Sequence, residues 1–132
     1  VNRKYELQER KEDIDHLMSI YFDFINGTYL EVALKCFAAR EGYGQEIIFA
    51  FFHSDLDDFD SAHLPRPLDD KHVLIELGYP AVEIEQLAFL DFKTFYHYLE
   101  ENVKKEVEIN PEKTRLNDLL AEVKCSLYDR AF

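Results

Sequence analysis

Apolar positions in this chain recur with two periods, and each period marks out different elements. From Asp13 to Ile25 the residues Ile14, Leu17, Met18, Tyr21, Phe22 and Ile25 follow the i, i+3, i+4, i+7, i+8, i+11 spacing of one helical face. Asn26-Gly27 closes that helix, because Gly accepts the left-handed conformation of a helix end. The charged lead-in over residues 1–12 either extends the helix or frays. Thr28 opens a second helix, with Thr28 and Glu31 at capping-box spacing, an arrangement worth ~1 kcal/mol. Leu30, Leu34, Phe37 and Ala38 form its apolar face, and Gly42 and Gly44 mark the exit loop. The run from Glu46 to Phe52 is short, β-branched and aromatic, which favours a strand covered on both faces over a short buried helix.

The pattern then breaks. Ser54 to Lys71 has no sustained period and carries Leu64-Pro65-Arg66-Pro67-Leu68, an extended, helix-forbidding sequence. A link this long in a small domain is either functional or disordered. Period two returns in Val73, Ile75 and Leu77 and in Val82 and Ile84, which predicts a hairpin around Gly78-Tyr79-Pro80 with Glu76, Glu83 and Glu85 on its other face. Asp91 is placed to cap a helix running to about Glu108, with Leu90 and Phe95 at the positions of a hydrophobic staple. Asn110-Pro111-Glu112 is a stop and restart, with Asn110 as cap and Pro111 in the first helical position. Leu116, Leu119, Leu120, Val123 and Leu127 give the last helix its buried face. The expected architecture is α+β: about four helices packed with a small, mostly antiparallel β-sheet in a single compact domain spanning 1–132, without repeats or an internal boundary.

Composition narrows the function. Asp and Glu number 27 against 15 Lys and Arg, a net charge of -12, which argues against gripping nucleic acid phosphates or an anionic membrane and favours a basic protein partner. No apolar run reaches the ~18–20 residues of a membrane span, and the charged start resembles no signal peptide. The expectation is a soluble, cytoplasmic protein. Cys36 and Cys125 are too few for a disulfide framework and fall in predicted helices, as small buried apolar groups.

The densest charge lies in Ser54-Asp55-Leu56-Asp57-Asp58-Phe59-Asp60, where four carboxylates are interrupted by only two apolar side chains. Like charges held together oppose compaction. The segment is therefore either a solvated loop or a negative surface made to meet something positive. As an EF-hand it fails, since Phe59 holds the fifth position and Asp60 the place of the required Gly. The histidines His16, His53, His63, His72 and His97 form no metal-binding pair, and His97 sits among aromatics where it would pack. There is no nucleophile elbow, phosphate-cradling glycine loop or Walker lysine. Acid–base chemistry by the paired carboxylates needs an environment that perturbs ionisation, which a solvated loop does not supply.

Several short motifs carry a likeness when taken in order: Tyr21-Phe22-Asp23-Phe24-Ile25, Gly42-Tyr43-Gly44, Phe52-His53-Ser54 running into the aspartates, Phe95-Tyr96-His97-Tyr98-Leu99 and Ile109-Asn110-Pro111-Glu112. Over about residues 14 to 123 the series resembles the small acidic immunity proteins of bacterial contact-dependent growth inhibition systems (CdiI), which act against ribonuclease toxins. His53-Ser54 stands where those relatives have Pro, and the segment through Leu64–Pro67 is longer here. The resemblance implies a cytoplasmic antitoxin that binds the C-terminal nuclease domain of a CdiA toxin, of EndoU type among the options, as a one-to-one heterodimer. It carries over no catalytic residue, cofactor or metal.

On this reading Asp55, Asp57, Asp58 and Asp60 are contact residues with Phe59 as an apolar anchor, supported by Glu76, Glu83 and Glu85. The rivals are an acidic scaffolding module for another basic protein and a divalent-metal enzyme using the aspartates.

Overall fold

One five-stranded sheet satisfies both periods, and its two faces have different covers. The computed structural model describes residues 5–129, the last of them by backbone alone. The strands are β1 (Tyr5–Leu7), β2 (Tyr43–Gln45), β3 (Ile48–Phe51), β4 (His72–Leu77) and β5 (Glu85–Asp91), in spatial order β1-β5-β4-β3-β2. β1 runs parallel to β5 and every other pairing is antiparallel. The helices are α1 (Lys11–Ile25), α2 (Leu30–Ala38), the single-turn α3 (Asp58–Ala62), α4 (Phe92–Ile109) and α5 (Arg115–Asp129). This is the expected α+β class.

Alternation sends Ile48, Ala50, Val73, Ile75, Leu77, Ala88 and Leu90 to the inner face, where they pack on the apolar stripes of α1, α2, α4 and α5. Phe37, Phe52 and Phe95 meet at its centre, with the Phe37 and Phe95 rings edge to face at 5.1 Å. On the outer face Leu74 and Leu87 are covered by Leu68, with Leu56, Leu64, Phe51, Phe89, Tyr5 and Leu7 around them. The segment that reads as a bare link is therefore a lid over the second face. It contains a 3-10 turn at His53–Asp55 and α3.

Several local expectations change. Tyr5–Leu7 is an edge strand rather than a helical extension or frayed lead-in, because pairing with β5 places Tyr5 and Leu7 on the apolar outer face; residues 1–4 of that lead-in lie outside the described residues. Thr28 does not cap: a 3-10 turn spans Gly27–Tyr29 and leads directly into α2, while Glu31 pairs with Arg115 at 3.1 Å. Gly44 is in β2, where a Cβ would fall 2.0 Å from the Phe49 ring across the strand pair. β2 and β3 are joined by Glu46-Ile47, a tight turn without glycine in which Glu46 takes a φ of 56°.

The partner of β4 is Glu85–Asp91, with Glu76 opposite Leu87 and Val73 opposite Leu90, so Val82 and Ile84 belong to the connecting loop. The run Leu87–Leu90 outcompetes them by covering both faces at once. Asp91 caps α4 as expected, accepting from Thr94 N at 2.7 Å, and Leu90 and Phe95 are both buried. Pro111 starts a 3-10 turn ahead of α5, with no side-chain bond from Asn110. Cys36 is partly buried but Cys125 is exposed. His97 does not pack: it is exposed, with Nε2 3.9 Å from Glu101.

Candidate functional site

The outer face brings together what the chain separates. Glu76 lies near the end of β4, across from Phe49 on one side and Leu87 on the other. Glu85 is the first residue of β5 and faces Tyr5 of β1. Period two puts Glu76 and Glu85 on the same side as the acidic lid. The lid is anchored by its apolar residues and by Arg66, whose guanidinium lies 4.5 Å above the Phe89 ring.

Two of the four aspartates do local work. Asp55 accepts from Phe52 N at 2.7 Å and closes the 3-10 turn. Gly42 leaves room for it, since a Cβ there would stand 2.7 Å from the Asp55 carboxylate and 2.3 Å from Ala50 O. Asp57 accepts from Asp60 N at 2.7 Å and caps α3. Just past the end of α3, His63 Nδ1 lies 2.7 Å from Phe59 O, and the Phe59 and His63 rings are 4.3 Å apart. Phe59 is 71% exposed despite that contact.

Between α3 and the sheet is a cavity of about 360 Å³. Asp55, Asp60, Glu76 and Glu85 line it, with Phe59, His63 and Tyr5 among their neighbours. Burial, reinforced by Glu85 and Asp60, pushes the Glu76 carboxyl up from the usual 4.5 to about 7. Burial and the same three carboxylates, Glu85, Glu76 and Asp60, also raise the Tyr5 hydroxyl. Among the described residues no ion pair reaches any of the four lining carboxylates. Nor does any group of three His, Cys, Asp or Glu side chains there stand in a metal-binding arrangement.

Five of the sequence-predicted residues thus share one cavity: Asp55, Phe59, Asp60, Glu76 and Glu85. Asp57 and Asp58 are exposed on the outside of α3, and Glu83 is exposed on the β4–β5 loop rather than on the sheet. Tyr5 and His63 escaped the sequence reading. Tyr5-Glu6-Leu7 does alternate, but three residues beside a charged run are too weak a signal. His63 is an ordinary loop histidine until α3 forms.

The family model for CDI immunity protein matches residues 14–120, most of the chain. The chain belongs to the CDI immunity protein family. The match begins inside α1 and ends inside α5, so it takes in the whole acidic lid, while β1 and Tyr5 precede it. An immunity protein of this kind has a CdiA-type toxin as its partner. No curated protein and no solved structure matches the chain. No helix in the described part of this immunity protein is long and apolar enough to cross a membrane.

Proposed function

We propose that this immunity protein neutralises a basic nuclease domain, the C-terminal toxin domain of a CdiA protein, by seating a cationic toxin side chain in the cavity between α3 and the sheet. The observation that carries the reading is the meeting of Asp60, Glu76 and Glu85 around one cavity, where among the described residues no cation pairs with them. Such an arrangement costs native stability, and an arriving guanidinium or ammonium reverses that cost in surroundings where Coulomb energies exceed those at an open surface. Phe59 supplies an exposed ring beside the charges, the residue type that anchors interfaces. Asp57, Asp58 and Glu83, outside the cavity, extend the negative field that speeds encounter with a basic partner. The complex forms in the cytoplasm, one to one, and this chain performs no reaction in it.

The test is binding to the C-terminal domain of a cognate CdiA toxin. The combined Asp60→Asn, Glu76→Gln, Glu85→Gln variant is expected to bind at least ~100-fold more weakly at low salt, to show a flatter dependence on salt, and to protect cells poorly. Equal affinity with an unchanged salt slope overturns the reading. Binding by the native chain is also expected to tighten with rising pH, because the cation selects ionised Glu76 and one proton must leave below pH 7. The gain is about tenfold from pH 6 to pH 8 and is absent in Glu76→Gln.

A further inference from the structure

The cavity is too small to be the whole interface. Eleven residues line it, whereas a standard protein–protein interface takes about 20–30 residues a side. The contact must continue past its rim, and the exposed apolar side chains indicate the direction. Among the described residues the large exposed ones are Tyr29, Val32, Ile109, Phe59, Tyr79 and Ile84. The first three belong to the helical layer on the inner side of the sheet. Phe59 lines the cavity, and Tyr79 and Ile84 sit on the β4–β5 loop.

That loop is continuous with the cavity. It leaves β4 at Leu77, the residue after Glu76, and returns at Glu85, so its two stems carry two of the cavity's carboxylates. It is also held in shape: Gly78 N donates to Ile47 O at 2.8 Å, Ala81 N donates to Gly78 O at 3.1 Å, and Val82 packs into the helical core. Tyr79 is left 80% exposed on a constrained turn. A ring presented in this way loses little conformational entropy on binding, and tyrosine is among the residue types that dominate interface energies. Glu83 on the same loop and Glu46 on the adjoining β2–β3 turn, both exposed, keep the surroundings negative.

We infer that the Gly78–Ile84 loop, with Tyr79 as its anchor, is a second contact for the same cationic toxin domain. The inference rests on the proposed function above. Its test uses the same cognate CdiA toxin domain and four variants: Tyr79→Ala, Ile84→Ser, the Asp60/Glu76/Glu85 neutral variant, and Val32→Ala as a control on the helical layer. The expected result is a loss of affinity of about tenfold or more for Tyr79→Ala, a smaller loss for Ile84→Ser and none for Val32→Ala, with all four folded. If the neutral variant binds weakly while Tyr79→Ala stays within twofold of native, the loop inference fails and the cavity reading stands. If Tyr79→Ala alone binds weakly, the loop is a contact and the cavity reading fails. Loss from Val32→Ala as large as from Tyr79→Ala, or loss from none of the variants, overturns both.

Discussion

Replacing Glu76 by Gln should stabilise this protein at pH 8 and change little at pH 5. The native carboxyl is raised from 4.5 to about 7, and facing it are Glu85 of β5, Asp60 of α3 and the Tyr5 hydroxyl of β1. A carboxyl whose value is raised on folding holds its proton more tightly in the native state. Native stability therefore falls as pH rises from about 4.5 through 7. At ~1.4 kcal/mol per pH unit the full effect is about 3 kcal/mol, and the part of the carboxyl that remains wet reduces it to about 2 kcal/mol. Gln keeps the shape and removes the charge. The variant should thus gain about 2 kcal/mol at pH 8 and well under 1 kcal/mol at pH 5.

The window is clean for the other shifted groups. Asp15, Asp69 and Asp91 are held below their usual 3.8, so their contribution is present above that value and lost only as pH falls below it. The Cys36 thiol, pushed up by burial, acts above about pH 9, and the raised tyrosines act above pH 10. Urea unfolding of both proteins at pH 5, 6, 7 and 8 measures the difference directly, and at this chain length 1 kcal/mol also moves Tm by roughly 3–6 °C. A stability difference that does not grow with pH, or that favours the native Glu, refutes the argument that this carboxylate is held against its own electrostatics.

Three further substitutions probe the frame around the site. Gly42→Ala should destabilise by roughly 1–3 kcal/mol, because its Cβ would stand against Ala50 O and the Asp55 carboxylate and force β2 away from the 3-10 turn; thermal unfolding would register it. Asp91→Ala should cost ~1 kcal/mol by leaving Thr94 N without its cap, with Asp91→Asn recovering most of it in the same urea assay. Glu46→Gly should raise stability by about 1 kcal/mol by relieving a left-handed φ of 56° in the β2–β3 turn, and a loss of stability would show that the Glu46 side chain has a role the backbone does not reveal.

The acidic site was half legible in the chain. The aspartates of the lid stand out by density alone, and alternation from Val73 to Leu77 already sends Glu76 to the face opposite the core. What the chain could not show is that the two negative groups share a space. That depends on Leu56, Leu64 and Leu68, apolar residues with no common period, folding back over Leu74 and Leu87. Glu83 looks equivalent to Glu76 and Glu85 on paper and leaves the sheet only because β5 starts two residues later.

Residue spacing and composition were enough to place the four main helices, the Asp91 cap, the α+β class and the sign of the charge, because those depend on contacts within a few residues or on overall content. Tertiary structure alone decided that Glu85–Asp91 pairs with β4, that Tyr5–Leu7 closes the sheet as a parallel edge, and that the lid forms a short helix over the outer face. Strand pairing and lid docking join residues tens of positions apart, and a one-residue change of register inverts every side chain. Their energy comes from area buried between distant segments, and no local pattern in the chain records which distant segment will supply it.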